Sequence, residues 1–521
     1  MKKFLAILLA AMMLLAVTAA FADEAATTTP TTYTITITGD KGHTYEAYQI
    51  FTGDLSGSVL SNIVLGDGVT ENVLTFNDAT YANGAKLAEA VTADTLAAFT
   101  ELVSKNLATV AGTSTEVEGV YTISGLEPGY YFIKDRDSSV PAGDAYTKFM
   151  VKIVKDITAT PKTDKTTHEK KVYENVKPAT DPKNGAAGNN YNDVADYNIG
   201  DTVPFALYSK VPDLTNFTHY EMVFHDVMSA GLSFDANSVK VTVGNTELAK
   251  GTDYTVTTGC EDNCTFEVKI LELAGKGYAK DAAIRVDFNA TLNSSAVIGL
   301  DGNTNKSKLE FSNNPNTTTA TTSTPWDYVV VFTYELDVTK IDGAEETKVL
   351  KDAEFVLQNA AGSYVKVDAE GKVTGWDASK DNASVLKSDA TGKFKVVGLD
   401  DGTYKLIETK APAGYNLLAN PIVIEINATT ANNQNYIGVN AEGNSAADQA
   451  LTALKIKVDG TEATGDVGTG IVATTVENNI GATLPETGGI GTTLFYLFGG
   501  LMAAGSALIL VVRRRADADE E

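Results

Sequence analysis

The chain has 521 residues, with 67 acidic against 41 basic side chains, a net charge of -26, four histidines and two cysteines. That charge argues against a nucleic-acid partner, whose phosphates call for clustered Lys and Arg. Without a GxSxG, HExxH or P-loop motif, the sequence gives little support to a hydrolase, a metalloenzyme or a nucleotide enzyme, and no cofactor is expected.

Lys2 and Lys3 precede an apolar run from Phe4 to Val17, and Ala20-Phe21-Ala22 is an A-x-A cleavage site. Residues 1–22 therefore read as a secretory signal peptide, with the mature chain starting at Asp23. Between this leader and the far end, Thr, Val, Ile and Tyr alternate with polar residues around Gly/Asn/Asp turns, the pattern of antiparallel sandwiches. The length suits three domains. The N-terminal domain, residues 31–160, opens with a strand at Tyr33 to Ile37 and closes with one at Phe149 to Ile153. Its one helical pattern, Ala85 to Leu107, carries Leu87, Val91, Leu96, Phe99 and Val103 at roughly helical spacing and predicts a surface helix or a pair of turns.

A lysine-rich linker, Lys162 to Lys171, leads into the middle domain, residues 163–316. A Thr-rich stretch, Thr317 to Thr324, separates that domain from the C-terminal domain, residues 334–480. Cys260 and Cys264 enclose Glu261, Asp262 and Asn263, and in an exported chain they are a candidate small-loop disulfide. With no histidine near them in sequence they are too few for a zinc site, and no metal is expected. Asp301 to Asn305 resembles a calcium loop but lacks its glycine and its final glutamate, and reads as a polar turn. Gly125 to Asp135 can be laid residue for residue on Gly398 to Glu408, so one sandwich type is used twice.

The C-terminal domain places polar residues on apolar strand faces. Tyr404, Leu406 and Glu408 share a face; so do Leu336, Val338 and Lys340, and Thr474, Val476 and Asn478. A buried Lys, Glu and Asn are costly unless they meet. If they meet, desolvation favours a neutral amine and a protonated acid. The amine can then attack the Asn478 side-chain carbonyl while Glu408 bonds to its oxygen and shuttles protons to departing ammonia. The alternative is a buried salt bridge with an amide nearby. The middle domain repeats the arithmetic: His168, Lys170 and Val172 share a face, as do Phe224 and Asp226, and Leu309, Phe311 and Asn313. These assign Lys170 as nucleophile, Asp226 as acid and Asn313 as acceptor. A one-residue register slip would exchange Lys170 for Lys171. His225 reads as an outward-facing strand residue. The N-terminal domain keeps Asp135 at the place of Glu408, but its opening strand has no lysine. No cross-link is expected there, Asp156 being the remaining candidate acceptor.

At the far end LPETG, Leu484, Pro485, Glu486, Thr487 and Gly488, is followed by residues 489–512 with no charge and then by Arg513, Arg514 and Arg515 in the tail 513–521. Leu494 to Val512 would span about 28 Å as a helix, close to the thickness of a bilayer's hydrocarbon core. The arginines belong on the cytoplasmic side. This arrangement resembles the cell-wall sorting signal of Gram-positive surface proteins, in which a sortase cuts between Thr and Gly and passes the threonyl group to an amine. Tyr404 to Tyr415 resembles the E-box of pilin and collagen-adhesin B-type domains, and the Lys170, Asp226 and Asn313 segments look like those of isopeptide-forming pilin middle domains. Ile157-Thr-Ala-Thr160-Pro161-Lys162 resembles the pilin motif Val-x-Val-Tyr-Pro-Lys, with Thr160 in place of tyrosine; read otherwise, Lys162 is a solvated linker lysine.

Together these resemble the backbone subunit of sortase-assembled pili. The resemblance implies an all-β chain of three tandem immunoglobulin-like β-sandwich domains between a signal peptide and a transmembrane sorting signal. It also implies intramolecular isopeptide bonds with no other catalysis, and the Thr487 acyl group passed to Lys162 of the next subunit. The partners it implies are pilus-type and housekeeping sortases, identical subunits, peptidoglycan, minor pilins and host surface ligands. The alternative is a monomeric wall-anchored adhesin for a host or matrix protein, which needs no acceptor lysine.

Overall fold

The computed structural model describes residues 31–518, apart from 138, 142–143, 145, 161–165, 176–189, 216, 261, 316–317, 432–435, 440–442, 444 and 482–489. The signal peptide, Lys162 and the LPETG motif lie outside the described residues.

The N-terminal unit stacks two sheets. In one, the opening strand Tyr33–Thr38 runs antiparallel to Val120–Leu126 and parallel to the closing strand Ile157–Ala159. The other is built on Tyr45–Ser56 and Gly129–Asp135. The helical pattern becomes two helices, Gly84–Ala90 and Leu96–Ser104, with Leu87, Val91, Phe99 and Val103 buried beneath them. Asn83 caps the first by accepting from the Lys86 N–H at 3.0 Å.

The C-terminal unit repeats this topology. Its opening strand Tyr334–Asp342 lies between Lys393–Leu399, antiparallel, and the closing strand Ile471–Asn478, parallel. The repeated segments are therefore equivalent strand–turn–strand connections between facing sheets. In each, one strand pairs with the opening strand and the next, Gly129–Asp135 or Gly402–Lys410, crosses to the facing sheet.

The middle unit faces a six-stranded and a seven-stranded sheet across a core that includes Phe205, Phe224, Phe266, Phe288, Leu309 and Phe311. It extends further along the chain than the sequence reading placed it. Thr321–Ser323 pairs with Glu310–Ser312, and Asp327–Phe332 pairs with Asn303–Ser307. The Thr-rich stretch is thus partly strand, because threonine suits a half-buried pleated surface as well as a linker. The middle and C-terminal cores are continuous. Ile199 donates its N–H to the Gly398 carbonyl at 2.9 Å, and Tyr334 Oη donates to Asp196 Oδ2 at 2.9 Å. Gly398 has φ +94°, and a Cβ there would lie 2.4 Å from Ile199, so both conformation and close approach require glycine.

Beyond these units, Ile490–Ala518 is one helix whose segment Leu494–Arg513 has a mean hydropathy of 2.1 and is long and apolar enough to cross a membrane.

Candidate functional site: two buried Lys, acid and Asn sets

In the C-terminal unit Lys340, Glu408 and Asn478 come together. Lys340 and Asn478 are fully buried and Glu408 is nearly so. The parallel register sets Lys340 beside Val476 and Asp342 beside Asn478, so the lysine and asparagine lie on one face, one pleat apart. Lys340 Nζ donates to the Val476 carbonyl at 2.8 Å. Burial pushes its pKa down to about 8, against the opposing pull of the Glu408 carboxylate. Glu408 Oε2 accepts from Asn478 Nδ2 at 3.1 Å and from the Leu418 N–H at 2.9 Å. The Asn416 carbonyl also accepts from Nδ2, which fixes the orientation of the Asn478 amide. Glu408 therefore meets the nitrogen that would leave, whereas the sequence reading placed it on the carbonyl oxygen. Glu408 Oε1 and Asn478 Oδ1 are buried without hydrogen-bond partners.

In the middle unit the register separates the two lysines. Lys170 Nζ bonds to Asp226 Oδ2, and Lys171 Nζ bonds to Asp193 Oδ1 at 2.7 Å. Lys170 lies over the rings of Phe205 and Phe288, 5.4 and 5.0 Å from their centroids. Burial lowers its pKa, opposed by Asp226. Burial also raises Asp226 to about 6, offset by Lys170 and by Asn305.

The acceptor is where sequence and structure part. Asn313 has the expected strand parity but the wrong rung. Asp226 pairs with Ser307, and Met222, at the other end of its strand, pairs with Phe311. Asn313 lies beyond Phe311, roughly 20 Å from the Ser307 rung at about 3.4 Å per residue. Asn305 occupies the diagonal position next to Asp226 and is fully buried. Its amide approaches Asp226 closely enough to favour the ionised acid, yet both amide atoms remain short of hydrogen-bond geometry. The same parity runs through Asn303, Asn305, Ser307, Leu309 and Phe311, so the signal for Asn305 was in the sequence, but alternation does not number the rungs.

In the N-terminal unit the buried carboxylate, Asp135, is met by a histidine from the turn that follows the opening strand. His43 Nδ1 lies 2.8 Å from Asp135 Oδ1, and its Nε2 lies 3.5 Å from Asp144 Oδ2. Asp156 is far from this site in the fold: it accepts from the Thr34 N–H at 2.8 Å in an exposed contact. Burial lowers the His43 pKa, but the two carboxylates outweigh it and the net shift is upward from 6.5. A raised folded value means that His43 stabilises fully below about pH 6.5 and that this contribution is lost as pH rises through the folded pKa. The N-terminal melting transition of the exported chain should therefore fall as pH is raised above 6.5, and His43→Gln should flatten that slope. A slope unchanged in His43→Gln would assign it to other groups.

Cys260 and Cys264 form a disulfide with Cα atoms 5.4 Å apart. His225, remote from them in sequence, lies beside it across the strands.

Comparison with known families matches three segments of the chain. Residues 199–315 match the Gram-positive pilin backbone subunit 2, Cna-B-like domain; residues 334–439 match a prealbumin-like fold domain; and residues 476–519 match the LPXTG cell wall anchor motif. The trypsin-resistant surface T6 protein of Streptococcus pyogenes is 24% identical over 61% of this chain and 65% of its own length. Fimbrial subunit type 2 of Actinomyces naeslundii is 28% identical over 43% of this chain and 46% of its own length. The chain thus spans less than two thirds of either relative. The solved structure of the T6 backbone pilin of serotype M6 S. pyogenes, described as a modular three-domain structure, superposes with a TM-score of 0.53 at 17% identity, covering 87% of this chain and all of that one. The likeness is one of fold. The chain thus contains one segment like a Gram-positive pilin backbone domain, one prealbumin-like segment and an LPXTG wall-anchor motif.

Proposed function

We propose that this chain, with its pilin-backbone and prealbumin-like segments and its LPXTG anchor motif, is the structural backbone subunit of a covalently polymerised surface pilus. A sortase cuts between Thr487 and Gly488 and joins the Thr487 acyl group to the Lys162 amine of the next subunit; the last subunit is joined to peptidoglycan. Minor pilins and host ligands are further partners of such a fibre. The observation that carries this reading is the pair of buried Lys, acid and Asn sets in a chain that carries an LPXTG anchor motif.

In each set the neutral lysine Nζ attacks the asparagine Cγ. A C–N bond forms, the Cγ–Nδ2 bond breaks, and the acid carries protons so that Nδ2 leaves as ammonia. Glu408 serves Lys340 and Asn478. Asp226 serves Lys170 and, in place of Asn313, Asn305. Beyond the two hydrogens lost at the Cys260–Cys264 disulfide, the mass of the exported chain should accordingly fall short of its sequence mass by two ammonia. Asn305→Ala should restore one of the two and Asn313→Ala neither. Loss of the bond in Asn313→Ala with its retention in Asn305→Ala would reverse the assignment.

Immunoblots of wall extracts test the function itself. A backbone subunit gives a ladder of SDS-resistant species, whereas a monomeric adhesin gives a single band.

A further inference from the structure

The outer face of the middle unit carries a side-chain cluster that neither cross-link uses. His225 sits on Met222–Met228 directly opposite Glu267 on one neighbouring strand and Lys308 on the other. Above this row Asp262 projects from the Cys260–Cys264 loop, where its Oδ1 accepts from the Cys264 N–H at 3.2 Å. His225 Nδ1 lies 3.0 Å from Asp262 Oδ2 and 3.3 Å from Glu267 Oε1, and on the other side of the ring Nε2 lies 3.2 Å from Glu310 Oε2.

We propose that His225 Nδ1, Asp262 and Glu267 form a site for a divalent transition metal of the zinc class, held in shape by the Cys260–Cys264 disulfide.

Four observations support it. Ligand atoms of His225, Asp262 and Glu267 lie within 4.8 Å of one another. Two ligands held about 2.1 Å from one tetrahedral or octahedral metal stand about 3.0 to 3.4 Å apart, which is the spacing of Nδ1 from both carboxylates. The imidazole is more than nine-tenths buried, yet neither ring nitrogen is in hydrogen-bond geometry, although carboxylates surround it. A metal on Nδ1 supplies the missing partner. Finally, Glu310 stands at the other ring nitrogen, where histidine ligands of metals commonly donate their remaining N–H to a carboxylate.

The charge agrees with this set. Three carboxylates face one lysine, Lys308, 3.7 Å from Asp262, so a neutral imidazole leaves a deficit of two positive charges, which a divalent ion supplies. Imidazole with carboxylates selects for the zinc class over calcium or magnesium, which take oxygen ligands. The Cys264 sulfur lies within the same cluster, but the disulfide occupies it, so the sulfur shapes the loop without acting as a ligand.

The test is calorimetric titration of the exported chain with Zn2+ alone, without reductant. One ion should bind per chain, with at least tenfold weaker binding in His225→Ala and in Glu267→Gln. Asp262→Asn, on the exposed loop, should weaken it similarly while the melting temperature without metal is unchanged, which separates ligand loss from misfolding. Co2+ in place of Zn2+ should give visible absorption bands that are lost in His225→Ala. Absence of saturable uptake, or uptake undiminished in Asp262→Asn and Glu267→Gln, would overturn the proposal.

Discussion

Glu408→Ala is expected to lower the melting temperature of the C-terminal unit by roughly 10–20 °C. Joining residues 340 and 478 closes a loop longer than the ~100-residue case, for which chain entropy alone is worth about 4.7 kcal/mol. That is comparable with the whole stability of a modest domain, and in a unit of this size each kcal/mol moves the midpoint by about 2 to 4 °C or somewhat more. Removing the acid also leaves Lys340 buried without its carboxylate, which adds to the loss. Asn478→Ala separates the two effects, since it keeps Glu408 beside Lys340 and removes only the acceptor. Both variants should weigh what their sequences require at that site and melt well below the parent. If they lack the bond yet melt with the parent, the bond is not what holds the unit.

The buried Lys and acid residues of both sets, and Asn478, were visible in sequence as polar residues on apolar strand faces. Period-two alternation is strict, so Lys340, Glu408 and Asn478 could be placed on facing sides without knowing the fold, and the structure brings them together. What alternation lacks is position along the strand. Asn305 and Asn313 have the same parity, and the rung that sets Asn305 beside Asp226 is a property of pairing between strands distant in sequence. The Lys170/Lys171 ambiguity was of the same kind, and the pairing with Leu207 and Ala206 separates them. His225 escaped notice near the two cysteines because the contact crosses strands. Threonines of the 317–324 stretch read as a linker because composition alone does not show a strand that pairs with Glu310–Ser312.

The second large effect is on polymerisation. If Thr487 of one subunit is bonded to Lys162 of the next, tension enters each subunit at Lys162, just before the middle unit, and leaves at Thr487. The N-terminal unit lies outside that path, and it is the unit whose site holds His43 with Asp135 in place of a lysine with a carboxylate and an asparagine. The two units inside the path hold the Lys170, Asp226 and Asn305 set and the Lys340, Glu408 and Asn478 set. Noncovalent sandwiches under load can open and lengthen, while cross-linked ones carry the load through covalent bonds. Lys170 and Lys171 are poor alternatives as acceptors, because both are buried and engaged with Asp226 and Asp193.

The most direct measurement is Lys162→Ala in cells that retain the cognate sortases, followed by immunoblots of wall extracts. The SDS-resistant ladder should vanish while wall-anchored monomer, which needs only LPETG, remains. A ladder that persists in Lys162→Ala would show that another lysine accepts Thr487, and would contradict the assignment of the force path through the two cross-linked units.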